Sequence, residues 1–169
     1  MISKRHLTKQ VIDWFKIGYN KEENSVTFPV RDSKGRLLGV TERNIDTKRF
    51  HIPKNLDKPI YLLDEAVNYK KIYVCESQIN ALTLWSWGYP AIALFGTGCG
   101  KQYEQLSKLG SRVYVLCLDG DVPGDNGCKK FYNALKENNI IFRCEIPRGK
   151  DVNDLTLKEF LSLNCKDLI

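Results

Sequence analysis

The feature that most constrains this chain is a change of period near residue 60. Beyond that point short apolar runs alternate with helical stretches. Residues 71–75 read as a strand, 78–87 as a helix stopped by Gly88, 91–95 as a strand and 101–109 as a helix closed by Gly110. Residues 113–118 form the most apolar strand, 124–138 a helix and 141–146 a fourth strand. Thr156 and Glu159 then make a capping box for a last helix. Strands separated by helices of 9–15 residues imply parallel pairing, right-handed crossovers and helices on both faces of the sheet.

The first 60 residues read differently. Residues 8–16 fit a short helix capped by Thr8, with Val11, Ile12 and Phe15 on one face. Residues 25–31 and 36–41 fit a hairpin about the turn from Asp32 to Gly35. Residues 44–59 are polar, carry Pro53 and Pro59, and read as a surface loop. This segment holds 13 Lys/Arg against 7 Asp/Glu, whereas residues 61–169 hold 13 of each, so the whole excess of +6 lies in the first third. A basic segment joined to a neutral one implies a division of labour, the first part suited to a polyanion. The expected architecture is therefore α/β: a small basic α+β subdomain over residues 1–60, then a mostly parallel, Rossmann-like domain over 61–169.

With 43% apolar residues the 169-residue chain can bury a core, and no apolar run approaches the roughly 20 residues that span a bilayer. The start carries no apolar signal segment. The six cysteines include no C-x-x-C pair, which excludes the usual zinc spacing, and Cys75 and Cys117 fall inside strands. Reduced, buried thiols in a cytoplasmic protein are expected. His6 and His51 read as surface residues, and Trp85 and Trp87 as packing groups on their helix.

In parallel α/β sheets chemistry sits beyond the carboxyl ends of the strands. There the sequence places Glu76, then Gly96-Thr-Gly-Cys-Gly100, then Asp119-Gly-Asp121, then Pro147-Arg-Gly-Lys-Asp151. Carboxylates gathered on one rim repel unless a cation neutralises them, and an all-oxygen ligand set selects Mg²⁺ or Mn²⁺. Such an ion points to chemistry at phosphorus. Gly120 is expected to let the chain turn so that both flanking carboxylates face one ion. Two motifs are excluded: a phosphate loop needs Gly at 95 and Ser or Thr at 102, where the chain has Phe95 and Gln102, and an aspartyl phosphatase would carry its D-x-D after the first strand.

The ordered set of Glu76, Gly96-Thr97, Asp119-Gly-Asp121 with Gly124, and Gly149-Lys-Asp151 resembles the Toprim domain of primases, type IA and II topoisomerases and some nucleases. Within that group it is most similar to bacterial DnaG-type primases and their phage relatives. The likeness continues upstream through Arg5-His-Leu-Thr8, Ile17-Gly-Tyr19, Phe28-Pro-Val-Arg-Asp32, Gly35-Arg-Leu-Leu-Gly39, Arg43 and Tyr61-Leu-Leu-Asp-Glu-Ala66. The resemblance implies Glu76 as acid/base partner or metal ligand, Asp119 and Asp121 as main ligands, and Asp151 completing the rim. Arg43, with Lys48 and Arg49, would contact template or nucleotide, and Lys150 would meet a triphosphate. Asn80 stands where the family often has a metal-facing Asp, and it would ligate through its carbonyl. The closing motif offers Asn153 or Asp154 where the family has its second Asp one residue earlier than 154. The implied activity is RNA primer synthesis on single-stranded DNA from ribonucleoside triphosphates, with a replicative helicase or a zinc-binding module supplied by another chain. A Toprim nuclease and a catalytically silent nucleic-acid-binding module of a replication complex stay open as other readings.

Overall fold

The structure, a computed structural model, describes residues 6–47, 49–54 and 56–167. Helix α1 (Lys9–Trp14) begins where expected, the Thr8 hydroxyl accepting the Val11 N–H at 3.2 Å. Four antiparallel strands follow in chain order: β1 (Gly18–Asn20), β2 (Ser25–Arg31), β3 (Leu37–Asn44) and β4 (Phe50–His51). Alternate residues of β2, Val26, Phe28 and Val30, are buried, as period-two patterning requires of a sheet with one covered face. The expected surface loop over 44–59 is therefore interrupted. Asn44 Oδ1 accepts the N–H groups of Asp46 and Thr47, at 3.1 and 2.8 Å, and so reverses the chain and pairs Phe50 with Arg43.

The second sheet is built from β5 (Lys71–Cys75), β6 (Ala91–Ala93), β7 (Val113–Leu116), β8 (Ile140–Cys144) and β9 (Cys165–Asp167), in the order β6-β5-β7-β8-β9. The first four run parallel and β9 is antiparallel to β8. Between them lie α2 (Leu63–Ala66), α3 (Gln78–Ser86), α4 (Gly100–Ser107), α5 (Val122–Leu135), a 3-10 turn (Val152–Asp154) and α6 (Leu157–Leu161). Tyr73, Cys75, Ala91, Ala93 and Val115 face one core with Ile79 and Leu82 of α3. Ile72, Val74, Ile92, Tyr114 and Leu116 face a second core with Leu106 of α4 and Phe131 of α5. Helices thus cover both faces, and the first core runs on into Val26, Phe28 and Val30 of the other sheet.

The thiol expectation needs correction. Cys144 and Cys165 form a disulfide, while Cys75, Cys117 and Cys128 are buried free thiols and Cys99 is partly exposed. The two bonded residues sit directly opposite each other in the β8–β9 pair, which sets their side chains within bonding reach. Trp85 packs as expected, its ring edge-on to Phe15 and its Nε1–H donating to the Ala91 carbonyl at 2.9 Å; Trp87 packs against Phe160. His6 and His51 are exposed. Among the described residues no helix is long and apolar enough to cross a membrane.

Candidate active site

From β5 the chain crosses to β6 on one side, and β7 lies on the other, so the order reverses between β5 and β7. Loops part at such a point and leave a crevice beyond the carboxyl ends. Glu76 follows β5 by one residue and Asp119 follows β7 by three. The ladder continues past the strands, with Cys117 N–H donating to Val74 O at 2.8 Å, and the Asp119 N–H donates to Glu76 Oε1 at 3.2 Å. Side chains 43 positions apart are thereby fixed against each other by backbone pairing.

Gly120 has a different role from the one expected. Its φ lies outside the left-handed region, but a Cβ there would stand 2.1 Å from Pro147 O. The loop after β8 presses on it: Gly120 N–H donates to Lys150 O and accepts at its own carbonyl from Gly149 N–H, both at 2.9 Å. That contact brings Asp151 beside Asp119. Asp121 also caps α5, its exposed carboxylate accepting the Gly124 N–H at 2.7 Å. Asp151 likewise caps the 3-10 turn through Asp154 N–H at 3.1 Å, and exposed Asp154 accepts the Asp151 N–H at 3.0 Å.

The acids feel one another nonetheless. Burial pushes Asp119 up to about 7, helped by the charges of Glu76, Asp151, Asp121 and Asp154. Glu76 is raised as well, by burial and by Asp121, against the lowering effect of the Asp119 N–H. Among the described residues no three His, Cys, Asp or Glu side chains close into a ready-made ion cage. The donor set is nevertheless hard oxygen throughout and repels itself, which fits a hard divalent cation.

Asn80 is fully buried between Asp119 and Asn153. Its carbonyl accepts the Asn153 N–H at 3.3 Å, so its amide is left to donate to Asp119 Oδ1 at 3.4 Å. Asn80 positions Asp119. Asn153, rather than Asp154, points inward, with Thr83 Oγ1 donating to its Oδ1 at 3.4 Å. Arg43 and Gly96 reach the crevice, lining a cavity of about 300 Å³ with Glu76 and Asp119. Arg49 is not brought there; it lines a separate groove with Glu42 and His51. Thr97 lies against Gly127 of α5, and the Lys150 side chain is exposed beside the loop. Lys48 lies outside the described residues. Sequence reasoning missed Phe50, Ile52 and Phe95, which line the same cavity; the signal for Phe50 and Ile52 was apolar residues inside an otherwise polar run, and Phe95 was hidden at the end of an apolar strand.

Residues 73–156 match the family model described as Toprim-like. The DNA primase of Clostridium acetobutylicum is 27% identical over 155 residues, covering 83% of this chain and 26% of that primase. The zinc-binding and RNA polymerase domains of the Aquifex aeolicus primase superpose with a TM-score of 0.79 at 20% identity, over 98% of this chain and 55% of that one. A DnaG primase catalytic domain bound to single-stranded DNA gives 0.76 at 22% identity, over 94% and 66%. Residues 73–156 are thus Toprim-like, and the chain is similar in sequence to DNA primases and in fold to the DnaG-type catalytic core. It spans about a quarter of the length of the curated relatives it matches.

Proposed function

We propose that this chain is the catalytic core of a primase-like nucleotidyltransferase that joins ribonucleoside triphosphates into RNA primers on single-stranded DNA. The observation that carries this reading is the meeting of Glu76 and Asp119 at the switch point, in a crevice that Arg43 lines from the basic sheet. Glu76 and Asp119 would hold Mg²⁺ or Mn²⁺, with Asp121 and Asp151 at the rim. When bound, such an ion offsets the charge that develops on phosphate oxygens during transfer.

The remaining work falls to the chain itself. Glu76, its acidity weakened by burial, takes up the proton of the 3′ hydroxyl at a carboxylate oxygen as that hydroxyl's oxygen bonds to the α-phosphorus and the α–β phosphoanhydride bond breaks to release pyrophosphate. Arg43 orients phosphate, and Asn80 holds the Asp119 carboxylate in place. The basic excess of residues 1–60, including Lys48 and Arg49, holds the template, so affinity falls steeply as salt rises. Lys150 contributes a further cation to the triphosphate. In this reading, a zinc-binding module or a helicase on another chain selects where synthesis begins.

The test supplies the protein with a single-stranded template, four ribonucleotides and Mg²⁺, beside an Asp119→Ala/Asp121→Ala variant. Oligoribonucleotides from the parent alone support the reading. Shortened template in place of new product turns the reading to a cleaving enzyme, and strand binding without chemistry turns it to a silent module.

A further inference from the structure

We infer that the cavity beside the acids is a seat for a nucleobase, formed by Phe50 and Phe95; this deepens the function proposed above and rests on it. The cavity's volume of about 300 Å³ lies at the small end of ligand sites, a size that suits one base rather than a folded peptide. Its lining joins two chemistries, the acids Glu76 and Asp119 with Arg43 on the one hand and the apolar Phe50, Ile52 and Phe95 on the other. A ligand that satisfies both has a flat apolar ring joined to phosphates that accompany a cation. That is a nucleotide.

The aromatic part of the lining is built from the core outward. Phe28 and Tyr61, both fully buried, meet edge to face at 6.2 Å; Tyr61 meets Phe95 at 6.4 Å, and Phe95 meets Phe50 at 5.9 Å. Phe95 is thus braced from beneath, while Phe50 remains 42% exposed at the mouth and Ile52 37%. Phe95 also holds φ at +54°, a left-handed backbone that a bulky residue adopts only at a cost. The turn that holds it is tied to the acidic rim, since Gly96 N–H donates to Glu76 O at 3.1 Å. The segment that carries the ring is thereby joined through its backbone to the residue that carries the carboxylate, as a ligand that bridges them requires.

The experiment is calorimetric titration of the chain in Mg²⁺ with three probes: ATP, inorganic tripolyphosphate, and a single-stranded deoxythymidine oligonucleotide. The expected result is that Phe50→Ala weakens ATP about tenfold, the worth of one ring–base stack, with little change for tripolyphosphate. Phe50→Tyr restores ATP binding, and Phe95→Leu, which keeps the apolar fill but removes the ring, weakens it again. Loss confined to the oligonucleotide would also support a nucleobase seat, with a strand as its source. Equal loss for ATP and tripolyphosphate, or no loss for any probe, overturns the inference. If Asp119→Asn abolishes tripolyphosphate binding in that case, the metal rim survives without the base seat. If the parent binds neither ATP nor tripolyphosphate, the proposed function fails together with it.

Discussion

Gly120→Ala tests whether the rim is assembled by backbone contact. The added Cβ would stand 2.1 Å from Pro147 O and 2.8 Å from Ile146 O, against backbone that has no rotamer to yield. Relief requires the two loops to part, which breaks the pair of 2.9 Å hydrogen bonds joining Gly120 to Gly149 and Lys150. Two such bonds contribute about 1 kcal/mol each, and the residual overpacking adds about 1 kcal/mol, for a total near 3 kcal/mol. For a chain of this size that lowers Tm by about 6–12 °C. Gly35→Ala is the control: φ is +79° and nothing lies within 4 Å of the new Cβ, so only backbone strain of about 1 kcal/mol applies. Thermal melts read the stability, and Mg²⁺-dependent primer synthesis at a temperature where both variants are folded reads the rim. Gly120→Ala should lose activity there because Asp151 moves away from Asp119. A melting point within about 2 °C of the parent, with activity retained, refutes the argument.

Three further outcomes are expected. The folded pKa of Asp119 is about 7 against an ordinary value of 3.8, so the folded state tolerates the neutral acid, and stability is lost as pH rises from about 4 through 7. Without divalent ions, Asp119→Asn should therefore melt above the parent by a margin that grows over that window to about 1–2 kcal/mol, after allowance for partial exposure; parallel pH curves would contradict this. Asn80→Leu leaves the Asn153 N–H and the Asp119 carboxylate without their partner in a buried site, costing about 2–3 kcal/mol in urea unfolding, and a cost below about 0.5 kcal/mol would show that the network carries little. Cys165→Ser opens the link to Cys144 across a separation of 21 residues, and it should lose about 2–4 kcal/mol, with reductant bringing the parent to the same curve.

The parallel sheet was readable because β5 and β7 are buried on both faces and so appear as continuous apolar runs, with Gly88 and Gly110 ending the helices between them. What escaped lacks that imprint. The strand β9 is fully exposed and owes its form to pairing with β8. Helix α2 has four residues, and its N-cap, Leu62, is left-handed with no side-chain cap. At the site, the acids were identifiable because strand ends deliver them to one edge, but their individual duties were not. Asp121 also caps the start of α5, and Asn80 accepts an N–H from residue 153, 73 positions on. The Phe50–Phe95 contact joins two sheets, and no local period encodes it.

The placement of cations bears on why the acids sit where they do. Arg143 and Arg148, on β8 and the loop that follows it, both bind Asp125 in the first turn of α5, and their hydrogen bonds hold its carboxyl below the ordinary range. Among the described residues, neither Glu76, Asp119 nor Asp121 has a Lys or Arg within salt-bridge distance. Burial and the charges of Glu76, Asp151, Asp121 and Asp154 all raise the pKa of Asp119. Two arginines on the β8 side are thus held by a structural acid, while Glu76, Asp119 and Asp121 keep their mutual repulsion. Salt bridges at Asp119 would relieve that strain but would also compete with an incoming cation for the same oxygens. With Glu76 and Asp119 repelling each other in the ion-free fold, part of the binding free energy of a divalent ion goes to relieving that repulsion, so Mg²⁺ should stabilise the protein more at pH 8 than at pH 6.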